Sequence, residues 1–156
     1  MIKILFVCLG NICRSPLAEG VFNDFIIRSG LKNNVLCDSC GTAGYHIGSL
    51  PDKRSIKTAA NHGVVLEHRG RKLSTDDFHD FDFILAMDEN NYKDILNLQK
   101  HTNGNAKIVM FRDFDPKGKG DVPDPYYGSM EDFEEVYEMC SRTSGNLLAF
   151  IQKEQN

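Results

Sequence analysis

Ile2-Lys3-Ile4-Leu5-Phe6-Val7-Cys8-Leu9-Gly10-Asn11-Ile12-Cys13-Arg14-Ser15-Pro16 joins an almost continuous apolar run to a polar, glycine-containing loop and then to a helix start. Ile2–Val7 reads as a strand buried on both sides, as in a parallel sheet. Beyond Pro16, the residues Leu17, Ala18, Val21, Phe22, Phe25 and Ile26 recur at helical spacing up to Gly30, a glycine stop. The pattern repeats along the chain. A weaker strand is expected at about Val35–Ser39, and a helix from about Asp52 to His62, preceded by Pro51 and stopped by Gly63. Ser74-Thr75-Asp76-Asp77 resembles a capping box opening a short helix. Phe81–Met87 is the third strand, and Asp88 is placed to cap a helix carrying Tyr92, Ile95, Leu96 and Leu98. Ala106–Phe111 is the fourth strand, followed by an Asp-, Gly- and Pro-rich loop over Asp113–Gly128. A last helix spans about Met130–Lys153, with Ser129 as its cap and Gly145 as a weak point inside it. Such alternation predicts an α/β fold: a four-stranded parallel sheet with helices on both faces.

At 156 residues the chain fits one domain, 1–156, able to bury roughly 68–70% of its unfolded surface without metal or disulfide support. A net charge of −4 argues against general nucleic-acid binding, which depends on Lys and Arg neutralising phosphates. No apolar run approaches the roughly 18 residues of a membrane span, and the N-terminal run is too short for a secretory signal. Five cysteines (Cys8, Cys13, Cys37, Cys40 and Cys140) form no obvious disulfide framework, so a reducing cytoplasm is expected.

In folds of this kind ligands bind beyond the carboxyl ends of the strands, which directs attention to the loop after Val7. Gly10 and Asn11 both tolerate left-handed backbone, and a loop wound that way aims several N–H groups at one anion. The helix that follows adds its own unsatisfied N–H groups, and Pro16 suits its first turn. Arg14, five residues beyond Cys8, offers a planar fork for two phosphate oxygens. These positive surroundings favour a nucleophilic thiolate at Cys8, able to form a cysteinyl-phosphate, with Ser15 placed to donate a hydrogen bond to the departing sulfur.

Expelling the leaving oxygen of a phosphate ester calls for an acid. With 22 acidic residues, composition cannot choose one, but Asp121-Val122-Pro123-Asp124-Pro125-Tyr126-Tyr127-Gly128 stands apart. Pro125 biases Asp124 towards extended backbone, and the two tyrosines beside it can wall an aromatic ring.

Val7–Pro16 together with Asp124-Pro125-Tyr126-Tyr127 resembles the low-molecular-weight protein tyrosine phosphatases. The likeness spans essentially the whole chain, including Asp38-Ser39, Gly44-Tyr45, His62-Gly63, His68, Arg71 and Ala86-Met87-Asp88-Glu89. It implies phosphotyrosine hydrolysis, with Cys8 as nucleophile, Arg14 binding phosphate and Asp124 as general acid and base. Leu9, Gly10, Asn11, Ile12, Cys13 and Ser15 would form the phosphate cradle. Tyr45, Tyr126 and Tyr127 would contact substrate beside Leu9 and Ile12. Ser39 would hold Asn11 in its strained conformation, and His68 would support the loop through Ser15. No cofactor or metal is implied. The partners implied are phosphotyrosine-containing proteins or small aryl phosphates, with no nucleic acid and no membrane, and the chain a monomer or weak homodimer. The resemblance also implies a Cys8–Cys13 disulfide protecting Cys8 from irreversible oxidation, and phosphorylation of Tyr126 and Tyr127. Cys37, Cys40 and Cys140 match no catalytic position of the family, and the substrate-side segment His46–Pro51 varies, leaving specificity open.

Four other readings compete. Cys8, Cys13, Cys37 and Cys40 together form a thiolate set for zinc, though strand alternation leans Cys37 and Cys40 apart. Arsenate reduction needs further redox cysteines, absent between Gly63 and Met139. Phosphoarginine phosphatases resemble this family but favour Thr at the position of Ile12 and lack the paired tyrosines. A catalytically dead phosphate-binding module would have lost Cys8 or Asp124, and both are present.

Overall fold

The computed structural model describes residues 1–155. Its centre is β1 (Ile2–Cys8), flanked by β2 (Val35–Gly41) and β3 (Phe83–Ala86), with β4 (Lys107–Met110) outside β3. The sheet order is β2-β1-β3-β4 and every pairing is parallel. Ile4 sits opposite Cys37 on one side and Phe83 on the other. The continuous apolar run of β1 follows from this position, because both faces of the strand are covered. Ile4, Phe6 and Cys8 face one core, against α1 (Arg14–Arg28) and α5 (Met130–Glu154). Leu5 and Val7 face another, containing Phe78 of α3 (Asp77–Asp80) and Ile95 of α4 (Glu89–Gln99). Phe6 is fully buried and meets Phe22 and Phe111 edge-on at 5.6 and 5.4 Å. Burial of one such side chain contributes about 1.5–3 kcal/mol.

The element boundaries differ from the sequence reading in physically explicable ways. β2 runs two residues past Ser39 because β1 keeps pairing to the end, with Cys8 opposite Gly41. The third and fourth strands are shorter than expected. Asp82 and Met87 nevertheless still donate to Lys3 O and Val7 O at 2.9 and 3.1 Å. Phe111, expected in the fourth strand, instead opens a 3₁₀ turn, Phe111–Phe114. The expected capping box at Ser74 is only half formed. Asp77 accepts from the Ser74 N–H at 2.9 Å while also bonding Arg71, but the Asp77 N–H goes to the Ser74 carbonyl at 3.1 Å instead of its hydroxyl, so 74–77 closes a turn and α3 begins at Asp77. The helix from 52 to 62 is α2 (Lys53–Asn61), capped by the Asp52 carboxylate on Arg54 N at 2.8 Å. Gly145 does not interrupt α5: a Cβ there would meet only Phe25 Cε1, at 3.8 Å. Among the described residues no helix is long and apolar enough to cross a membrane.

Candidate active site

The loop between β1 and α1 lies at the carboxyl ends of β1 and β2, with Ala43 N donating to Leu9 O at 3.0 Å. Asn11 lies at φ 59°, the only non-glycine residue with positive φ among the described residues. Such a conformation costs an L-residue roughly 1–2 kcal/mol, so the surroundings must hold it. Asn11 Nδ2 donates to Ser15 Oγ at 2.8 Å and to Ser39 Oγ at 3.0 Å. Asn11 Oδ1 accepts from Arg71 N at 3.1 Å and from His68 Nε2 at 2.6 Å. Gly10, in contrast, is not left-handed. It lies close under a side chain, and a Cβ there would come within 3.2 Å of His46 Cδ2.

His68 supports the loop through Asn11 rather than directly through Ser15 as expected. Its Nδ1 faces Glu19 Oε1 at 3.0 Å and Asp38 Oδ1 at 3.4 Å. Burial draws its pKa down, but the hydrogen-bonded carboxylates of Asp38 and Glu19 outweigh burial and push it up to about 9. As an imidazolium it donates from both nitrogens. Ser39 in turn donates to Glu19 Oε1 at 2.7 Å, so Glu19 anchors two of the groups beneath the loop.

This scaffold sets the environment of Cys8. Its Sγ accepts from the Asn11 N–H at 3.3 Å and lies 3.0 Å from Ser15 Oγ. Ser15 Oγ accepts from Asn11 Nδ2 at 2.8 Å, and its one proton has two acceptors within reach, the sulfur at 3.0 Å and the more distant Cys40 carbonyl at 3.4 Å. Cys13, at the N-terminus of α1, makes no capping bond, so the first-turn N–H groups keep no acceptor within the helix. Arg14 is buried and fixed from behind. Its Nη1 donates to Asp88 Oδ2 at 2.6 Å and to Val122 O at 3.0 Å, while Nη2 lies 3.7 Å from Asp124 Oδ2. Asp124 has a side chain 46% exposed and accepts from Tyr126 N at 3.1 Å.

A cleft of about 260 Å³ opens above the sulfur. Cys8, Leu9, Gly10, Ile12, Cys13 and Arg14 form its floor and sides, and Tyr45, His46, Asp124, Tyr126 and Tyr127 form its walls. Tyr126 and Tyr127 pack edge to face at 4.9 Å. Of the residues expected to form the site, Asn11 lies in the loop but turned away from the cleft, Ser15, Ser39 and His68 lie beneath the loop, and the others line the cleft. Burial, reinforced by the charges of Asp52 and Cys8, pushes the Cys13 thiol up to about 12.

Sequence reasoning missed the roles of Asp88 and Arg54. Asp88 was read only as a helix cap; its Oδ1 does accept from Asn91 N at 2.7 Å, while its other oxygen holds Arg14. Its position just past β3, beside the end of β1, was the available signal. His46, the first residue of the segment read as substrate-side, does line the cleft. Arg54 bonds the carbonyls of Tyr126 and Gly128 across 72 and 74 residues of chain. The four thiols proposed for zinc do not converge, since Cys37 packs on the α1 side of β2 and Cys40 on the opposite face.

Residues 3–156 match the family model described as low molecular weight phosphotyrosine protein phosphatase. The low molecular weight phosphotyrosine protein phosphatase of Gallus gallus is 42% identical over 152 residues, covering 97% of this chain and 94% of that one. A protein tyrosine phosphatase from Entamoeba histolytica, crystallised with Hepes in its active site, superposes with a TM-score of 0.91 at 36% identity, covering 100% of both chains. A Drosophila arginine phosphatase superposes with a TM-score of 0.90 at 30% identity, over 96% of this chain and 98% of that one.

Proposed function

The chain belongs to the low molecular weight phosphotyrosine protein phosphatase family, a family of phosphomonoester hydrolases, and from that premise we propose that it hydrolyses phosphotyrosine and small aryl phosphates through a cysteinyl-phosphate on Cys8. The observation that carries the reading is the sulfur of Cys8 at the floor of an aromatic-walled cleft, 3.0 Å from the Ser15 hydroxyl and beside Arg14.

A phosphate bound in the loop would have its oxygens in the N–H cradle and on the Arg14 fork. The aryl ring would lie between Tyr45 and Tyr126, with Ile12 and Leu9 at its edges. The Cys8 thiolate attacks phosphorus as the P–O bond to the aryl group breaks, and protonated Asp124 gives its proton to the leaving phenolate. In the second step water attacks phosphorus and Asp124 takes its proton. The S–P bond then breaks, with the Ser15 O–H stabilising the returning thiolate, and inorganic phosphate leaves. Each step balances within the residues of the cleft, substrate and water. Phosphotyrosine-containing proteins are the natural substrate class for such a site.

Likeness to an arginine phosphatase favours a second substrate reading. Ile12 and the paired tyrosines argue for the aromatic ester, because they offer an apolar wall where a guanidinium would want polar partners. The test is turnover of p-nitrophenyl phosphate, phosphotyrosine and phosphoarginine with chelator present, comparing wild type with Cys8→Ser. The expected result is chelator-insensitive turnover of the two aryl esters by the wild type alone. Appreciable turnover by Cys8→Ser refutes the nucleophile, and preference for phosphoarginine refutes the substrate class.

A further inference from the structure

We propose that Arg54, in the first turn of α2, is a positioning residue that holds Asp124 at its working distance from the phosphate loop; the inference rests on the reading of Asp124 as general acid.

The segment carrying Asp124 is weakly held by its own contacts. Upstream, the buried Val122 donates its N–H to Met87 O at 2.7 Å, and its carbonyl accepts from Arg14 at 3.0 Å. Downstream, beyond the buried Pro125, the chain is exposed, with Tyr127 96% accessible. Its internal bonds are Tyr126 N to the Asp124 carboxylate and Gly128 N to Pro125 O at 2.9 Å. Arg54 supplies the missing tether. Nη2 donates to Tyr126 O at 2.9 Å and Nη1 to Gly128 O at 3.3 Å, and among the described residues no other side chain bonds these carbonyls. The guanidinium also lies over the Phe133 ring at 4.5 Å and the Tyr126 ring at 5.7 Å.

The other end of the tether is the phosphate loop. Asp52 grips Arg54 with both oxygens, accepting from Nε at 3.0 Å and Nη2 at 2.9 Å. Asp52 N donates to Ile12 O at 2.7 Å, and Ser55 Oγ donates to Cys13 O at 3.2 Å. The first turn of α2 is therefore bonded to the nucleophile's loop on one side and, through Arg54, to the acid's loop on the other. Four bonds from one planar group fix direction as well as distance. A lysine has a single ammonium on a flexible stem and cannot reproduce them.

A misplaced acid costs rate in proportion to how much the leaving group needs its proton. The test compares kcat/KM of wild type, Arg54→Gln, Arg54→Lys, Asp124→Ala and the Arg54→Gln/Asp124→Ala double variant. The substrates are phenyl, p-nitrophenyl and dinitrophenyl phosphates, and inorganic phosphate binding and thermal unfolding are measured alongside. Both Arg54 variants should lose on the order of ten- to 10²-fold on phenyl phosphate, the scale of a small misplacement. The loss should shrink towards dinitrophenyl phosphate, phosphate affinity should stay unchanged, and Arg54→Gln should add nothing once Asp124 is gone. A loss uniform across leaving groups, full activity in Arg54→Lys, or full additivity with Asp124→Ala overturns the inference while leaving the acid intact. A uniform loss in Asp124→Ala itself overturns the acid and the inference with it. Arg54 is at the surface, and Arg54→Lys keeps the charge should Arg54→Gln fail to fold.

Discussion

Raising the pH through the titration of His68 removes the charge that braces the phosphate loop from below, and the loss can be sized. The imidazole is 8% exposed and sits between Glu19 and Asp38, which hold its pKa at about 9 in the folded chain against burial, compared with 6.5 for a free imidazole. The folded state thus binds the proton more tightly than the unfolded one. Its contribution is fully present below pH 6.5, declines as pH rises from there, and is gone above about 9. At about 1.4 kcal/mol per tenfold change in proton affinity, the contribution tops out at about 3 kcal/mol. His68→Gln keeps a donor for Asn11 Oδ1 but carries no charge to lose. Urea unfolding of wild type and variant from about pH 6 to about pH 9.5 cancels the other titrating groups and isolates this one. The wild-type advantage should fall steadily with pH and level off above 9. A gap that is constant or widens with pH, or an imidazole that titrates near 6.5 by NMR, refutes the reasoning.

Other substitutions probe separate parts of the structure. Gly145→Ala puts a methyl group 3.8 Å from Phe25 Cε1 in the interior of α5 and should stabilise the chain by about 0.5–1 kcal/mol, so an unchanged or lowered Tm counts against the packing described. Arg14→Lys keeps a cation but loses the fork shared among Asp88, Val122 O and substrate. It should lower kcat/KM on the order of 10²–10³-fold and weaken inorganic phosphate binding, and near-normal turnover would show that only charge is needed there. Mild peroxide followed by reductant should restore wild-type activity but not that of Cys13→Ser; equal recovery in both would dispose of the protective disulfide.

Elements whose signals are local were legible in advance. β1 is apolar throughout because both its faces are covered, and α1 declares itself by its period. The Cys8–Ser15 loop carries strand end, helix start and chemistry within a few residues. The supports of that loop come from far along the chain. His68 reaches Asn11 across 57 residues, and Asp88 reaches Arg14 across 74. Only parallel stacking of β1 beside β2 and β3 brings these residues together, and periodicity does not report which strand ends become neighbours. Local signals also misled where a tertiary partner won. At Ser74–Asp77 the Asp77 carboxylate serves Arg71 as well as the Ser74 N–H, and a His68 expected on Ser15 bonds the neighbouring Asn11 instead. Gly10 and Asn11 were equally able to turn left-handed. The four side-chain bonds available to Asn11, and none to glycine, decided between them.

The most direct test is to trap the covalent intermediate. Asp124→Ala removes the base that activates water, so rapid acid quenching of this variant during turnover of p-nitrophenyl phosphate should accumulate a phosphorylated enzyme. Peptide mass spectrometry should place the phosphoryl group on Cys8 and nowhere else. Turnover with no phosphoenzyme, or with phosphate on any other residue, contradicts the mechanism.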